Sequence, residues 1–272
     1  MGIVFGITGS KEPSFQLLKS GKYEIRKYNS YFIAEVSGDN SNEEFQILAK
    51  YIGVWGNPEN LLKQVRAEVR QVPIKMEMTA PVLMTTKTMD FILPPEYKSF
   101  DQIPVPTDSR ISIKQVPSQI IAIDCFSGSY NEEKGFKRMK KLCHLLQKDG
   151  LINKEPRMHK FKSGKGSSHD PDDGTKATAV LKEPGELTPP SVKKDSTFNG
   201  DTTSNYVRWL SAQYHPPFTL PFLRRNEIWV ELSPDNPAVQ ELLHREAVMD
   251  MDILRGSFDM NDGGNQDLKE RA

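Results

Sequence analysis

Tyr23-Glu-Ile-Arg-Lys-Tyr28 followed by Tyr31-Phe-Ile-Ala-Glu-Val-Ser-Gly38 reads as two β-strands with a tight connection, and the chain repeats the pattern. Ile111-Ser-Ile-Lys-Gln-Val116 is followed by Ile120-Ile-Ala-Ile-Asp-Cys-Phe-Ser-Gly128, again a strand pair ending in Ser-Gly. A helical stripe comes after each pair. Phe45, Leu48, Tyr51 and Ile52 form the first, and Phe136, Met139, Cys143 and Leu146 the second, at the spacing of one helix face. Each helix leads to a proline-bearing strand, Met78-Thr-Ala-Pro-Val82 or Tyr214-His-Pro-Pro-Phe218. A closing strand follows, Met89–Leu93 in one half and Asn226–Leu232 in the other. The expected fold is α+β: duplicated βαββ units forming a distorted antiparallel β-barrel flanked by two helices.

The repeat also locates the boundaries. The patterned domain spans 1–232 and is interrupted at 163–205, where Gly, Ser, Thr, Asp, Lys and Pro dominate. Such a composition buries too little apolar surface to offset the entropy of ordering, so 163–205 is expected to be a disordered insertion. Removing it restores the spacing between the proline strands to that of the two Ser-Gly ends. A tail, 233–272, follows. Val239, Leu242, Leu243, Val248, Met251 and Leu254 predict an amphipathic helix over 237–255.

Lys plus Arg and Asp plus Glu each number 36, so the net charge is zero and the bulk basic footprint of a nucleic-acid binder is missing. No apolar run reaches the ~20 residues of a membrane span, and the N-terminus lacks a signal-peptide pattern. Two cysteines, Cys125 and Cys143, are too few for a disulfide framework and fit a reducing compartment. The expectation is a cytoplasmic protein. It carries no Gly-x-Ser-x-Gly elbow, phosphate loop or dinucleotide fingerprint, and no catalytic residues are assigned.

Lys75-Met-Glu-Met-Thr-Ala-Pro-Val82 alternates, with Met76 and Met78 on one face, until Pro81 ends the strand. Two thioethers side by side suit either an apolar ligand or an ordinary core. This octapeptide, the Tyr214-His-Pro-Pro element and Arg224-Arg-Asn-Glu-Ile-Trp-Val230 resemble the signatures of the SOUL haem-binding proteins. Met1-Gly-Ile-Val-Phe-Gly6, Tyr23–Tyr28 and Leu48-Ala-Lys-Tyr-Ile-Gly53 are similar to the plant and algal cytosolic branch. The resemblance implies a duplicated barrel that binds haem or another tetrapyrrole without a covalent bond. It also implies that the first helix and the Met-Thr-Ala-Pro-Val region lie near the ligand. Lys27 stands where some members carry a histidine proposed as axial ligand, so no histidine ligation follows there. His215 replaces the usual Asp or Asn before the prolines.

The candidate ligand-binding residues are therefore Met76, Met78, Tyr214, Arg224, Trp55 and Tyr51. Arg224 is a candidate partner for haem propionates, and Trp55 lies in a glycine-flanked loop, where it serves as a ligand or partner contact if exposed and as packing if tucked under the loop. Packing competes for each: the methionines and Tyr51 as core, Tyr214 as a half-buried aromatic with a hydrogen-bonded hydroxyl, and Arg224 as a solvated cation or a partner of Glu227. No metal ligands are assigned, since no Cys/His cluster has structural-metal spacing. The alternative function is a barrel scaffold that recruits a protein partner through 163–205 or the tail.

Overall fold

In the computed structural model, which describes residues 9–62, 73–153, 155–156, 206–216 and 218–248, the two expected strand pairs separate and re-pair across the halves. The first half contains β1 (Phe15–Lys19), β2 (Glu24–Tyr28), β3 (Tyr31–Ser37) and α1 (Ser41–Ile52). It continues with β4 (Asn60–Leu61), β5 (Val82–Met84), β6 (Thr88–Ile92) and β7 (Val105–Pro106). The second half contains β8 (Ile111–Val116), β9 (Gln119–Ser127), α2 (Glu132–Lys148), β10 (Glu155–Pro156) and β11 (Tyr206–Val207). It ends with β12 (Trp209–Gln213), β13 (Arg225–Leu232) and a helix, α3, over 237–248.

Nine strands form one sheet in the order β1-β2-β9-β13-β12-β5-β6-β3-β8, every pair antiparallel. β2 does not pair with β3, nor β8 with β9. Instead β2 pairs with β9 and β3 with β8, so each half lends its opening strand to the other. The hairpin expectation fails because the connections, Asn29-Ser30 and Pro117-Ser118, turn the chain a corner without returning it alongside itself. β4 with β7 and β10 with β11 add two small ladders that the sequence pattern did not predict.

Strand alternation divides the core into three clusters. The outer face of the first half (Phe32, Ala34, Val36, Met89, Phe91) packs under Leu48, Tyr51 and Ile52 of α1. The outer face of the second (Ile25, Ile120, Ala122, Ile228, Val230) packs under Met139, Leu142 and Leu146 of α2. Val239, Leu242 and Leu243 of α3 join this second cluster. The inner face holds Tyr28, Ile33, Leu83, Ile92, Val116, Ile121, Ile123, Ala212 and Trp229 together. Residues of β2 and β8, near opposite ends of the strand order, thus share one interior, as a curled half-barrel requires.

The helices begin and end where their chemistry dictates. The Asn40 side chain accepts from the backbone N–H groups of Asn42 (3.1 Å) and Glu43 (3.4 Å), and Asn131 accepts from that of Lys134 at 2.8 Å. Gly53 ends α1 in the left-handed region, φ 80°, and its N–H reaches the carbonyls of Ala49 and Lys50. In α2, a Cβ at Gly135 would lie 2.7 Å from the Tyr130 hydroxyl oxygen, so glycine lets that ring lie against the helix.

Two strand assignments also need correcting. Residues 75–78 keep the alternation of exposure but make no ladder, and β5 starts only at Val82. Their backbone is tied elsewhere: the Met76 N–H donates to the Ile52 carbonyl at 3.0 Å and the Ala80 N–H to that of Lys11 at 2.9 Å. Tyr214–Phe218 is not a strand either, since β12 ends at Gln213. The proline segments are therefore not equivalent: Pro81 precedes β5, whereas Pro216 follows β12. Because Gln213 pairs with Val82, the two segments are neighbours at one end of the sheet. The insertion 163–205 and the tail beyond 248 lie outside the described residues.

Candidate functional site

Lys75–Val82 runs from the end of α1 to the start of β5, joining two surface corners. At the first, Asn60 clamps the chain. Its Nδ2 donates to the carbonyls of Tyr51 (2.7 Å) and Ile74 (2.8 Å), and its Oδ1 accepts the Ile74 N–H at 2.9 Å. Gly53 then turns the backbone outward and presents Val54 and Trp55. Trp55 is 59% exposed, and its ring centroid lies 5.6 Å from that of Phe45. At the second corner, the connection between β12 and β13 holds Phe218 and Phe222, 64% and 69% exposed, with Leu220 exposed between them.

That second loop is well tied. The Thr219 N–H donates to the Pro216 carbonyl at 3.1 Å, that of Leu223 to Leu220 at 2.9 Å, and that of Gly128 to Pro221 at 2.8 Å. Arg224 Nε donates to the Thr219 carbonyl at 2.7 Å. His215 caps the turn by accepting the Arg225 backbone N–H on Nδ1 at 3.0 Å. The sequence placed Phe218 at a strand end and assigned no role to Leu220 and Phe222. The overlooked signal was Pro217 and Pro221 bracketing large apolar residues, since backbone without donors cannot hold them in a ladder.

The candidate residues divide between these corners and the core. Tyr51 is completely buried and its hydroxyl donates to the Pro104 carbonyl at 2.7 Å. Met76 is buried in the same cluster, and Met78, half-buried, packs against it. Tyr214 belongs to the interior cluster. Trp55 and half-buried Arg224 reach the surface. Among the described residues, no group of three or more His, Cys, Asp or Glu is placed to hold a metal ion.

The interior below the second corner is polar but filled. Glu227 is fully buried and accepts from Tyr214 (2.8 Å) and Trp229 Nε1 (2.7 Å). It also accepts from Arg225 (2.8 and 3.0 Å) and Arg26 (3.2 and 3.4 Å). Arg26 donates in addition to Glu24 at 2.7 Å and Tyr28 at 3.1 Å. Burial opposes the Arg26 charge, but Glu227 and the surrounding hydrogen bonds outweigh it and raise its pKa. Burial, then the Glu227 charge, drives the Tyr214 pKa upward, and burial carries Tyr28 to about 12. Tyr28 stacks on Trp229 with centroids 4.8 Å apart, and the Arg225 guanidinium lies 3.7 Å over the Tyr214 ring. These aromatic rings and ion pairs occupy the space a barrel ligand would need.

A shallow depression of about 250 Å³ lies at the sheet edge, lined by Ser14, Phe15, Gln16, Lys27 and Asn29. It is smaller than the ~300–1,000 Å³ typical of ligand pockets. Among the described residues, no helix is long and apolar enough to cross a membrane.

Comparison with known proteins gives distant structural likenesses and one family. The C-terminal domain of EcmrR is 9% identical with a TM-score of 0.35, over 80% of this chain and 98% of that one. A putative bacterial transcription regulation protein from Staphylococcus aureus MU50 is 8% identical with a TM-score of 0.29, over 79% and 99% of the two chains. SAV2435 bound to tetraphenylphosphonium is 7% identical with a TM-score of 0.29, over 78% and 94%. No curated protein matches. The family model described as SOUL heme-binding protein matches residues 10–163, more than half of the sequence, and the chain belongs to that family.

Proposed function

We propose that this protein binds haem or another tetrapyrrole reversibly and without covalent attachment, as a cytoplasmic carrier or buffer and not as a catalyst. The ligand lies outside the barrel, across Lys75–Val82, between Trp55 and the Phe218–Phe222 loop. The observation that carries this reading is a filled interior combined with exposed aromatic side chains at both ends of that segment. Apolar contact with the macrocycle supplies most of the affinity, and Arg224 meets a propionate. Met78 contributes apolar surface. Met76, Tyr51 and Tyr214 act from beneath, holding the segment and the loop in place.

Haemin titration tests the proposal. The Soret band should shift saturably at one equivalent, and a titration no different from that of an unrelated protein would overturn it. Repeating it with metal-free porphyrin separates the macrocycle from the iron: equal affinity means that the metal is not what is recognised. The binding unit is assigned to 1–162 with 206–232, so deleting 163–205 should leave the titration unchanged. Loss of binding in that deletion would bring the insertion into the site.

A further inference from the structure

On the interior face, in the same row of the sheet as Glu227 but across β12 and β5 from it, β6 carries Asp90, 7% exposed, whose Oδ1 has no hydrogen-bond partner among the described residues. Directly across the ladder on β3 is Glu35. The Glu35 carboxylate is engaged by Lys114 of β8 at 2.6 Å. Two carboxyl groups thus face one ammonium. Among the described residues, Lys114 is the cation whose charge acts on Asp90. Thr88 lies on β6 itself, Leu83 is the β5 residue paired with Asp90, and Tyr31 of β3 hydrogen-bonds Gln119 at 2.9 Å. Glu231 of β13 acts on Tyr31 and is itself paired with Arg208 at 3.2 Å.

We propose that Asp90, held as the neutral acid, is a proton latch for the sheet edge. While the proton is present, Lys114 is committed to Glu35 and ties β8, the last strand in the order, to β3. When the proton leaves, a second buried negative charge competes for the same lysine and β8 loosens. Ionising a buried carboxyl beside another carboxylate is costly unless a cation is added, and Lys114 is paired with Glu35 and Arg208 with Glu231. Burial, reinforced by the Glu35 charge, raises the Asp90 pKa to about 8, although Lys114 and Thr88 act to lower it. The latch therefore operates near neutrality.

The test follows both the proton and the strand in the full chain. Carboxyl carbon NMR should find one aspartate titrating near pH 8, and its resonance should be missing in Asp90→Asn. Amide exchange of 111–116, corrected for the intrinsic rate, should lose protection by up to about tenfold per pH unit as one proton is released below pH 8, then level off. Asp90→Asn should flatten that profile. Should that variant not fold, Glu35→Gln serves: it removes the competing charge, frees Lys114 for Asp90 and moves the midpoint well below that of wild type. An Asp90 midpoint below pH 5, or a wild-type protection profile independent of pH, would overturn the proposal.

Discussion

Glu227 and Asp90 occupy the closing strands of the two halves, and both face the barrel interior, yet their surroundings are opposite. Glu227 receives hydrogen bonds from two guanidinium groups, a phenol and an indole. Among the described residues, one Asp90 oxygen has no hydrogen-bond partner, and Lys114, whose charge acts on Asp90, is paired with Glu35. The comparison teaches that a duplicated scaffold does not duplicate its electrostatics. On the interior face β13 is fastened by an ion cluster, whereas β6 carries an acid held protonated.

Removing the satisfied partner should have the largest effect. Glu227→Ala leaves Arg26 and Arg225 facing each other across a buried space, and breaking such a cluster costs about 3–5 kcal/mol. Urea unfolding should show the unfolding free energy falling by that amount, or expression failing. A loss below about 1 kcal/mol would mean that the cluster contributes little to the fold.

At Asp90 the sign depends on pH. The native state holds the Asp90 proton up to about pH 8, whereas the unfolded chain releases it near its ordinary value of about 3.9. The contribution of that proton is complete below the unfolded value and is lost as pH rises through the folded one. Wild-type stability should therefore decline between pH 5 and 8, by up to about 1.4 kcal/mol per pH unit. The decline should be absent in Asp90→Asn. Equal slopes in the two proteins would remove the contrast with Glu227.

Smaller effects separate core from surface within the candidate site. Tyr51→Phe loses one buried hydrogen bond and should cost about 0.5–1.5 kcal/mol of stability while weakening porphyrin binding less than Trp55→Ala does. Trp55→Ala should do the reverse. Stability should stay within about 0.5 kcal/mol, as at other exposed positions. Porphyrin binding should weaken roughly fivefold or more, as for an aromatic contact worth at least 1 kcal/mol.

The sequence made the periodic elements legible. α1 and α2 follow the stripes Phe45–Ile52 and Phe136–Leu146, and β6 and β13 follow the apolar runs around Phe91 and Trp229. What it could not convey was which strands pair, because β2 meets β9 and β3 meets β8 across long stretches of chain that no local pattern records. Lys75–Thr79 shows a second limit. Alternation reveals which side chains are buried, but their backbone bonds go to Ile52 and Lys11 instead of to a ladder. For the site, Trp55 was legible only as a loop aromatic that could be exposed or packed, Met76 as more core than site, and Tyr51 as part of an apolar helix stripe. The Glu227 cluster was not legible, since Arg26 and Glu227 come together only when the sheet forms.

The central claim is that a tetrapyrrole sits across Lys75–Val82 and not within the barrel. The chain has three tryptophans: Trp55 is exposed, Trp209 half-buried and Trp229 interior, 1% exposed. Their indole N–H resonances, followed by ¹⁵N NMR during titration with diamagnetic zinc protoporphyrin, report ring-current shifts at the three depths. The prediction is that Trp55 shifts most, saturating at one equivalent, and that Trp229 shifts least. The largest shift on Trp229 would place the macrocycle inside the barrel and contradict the account.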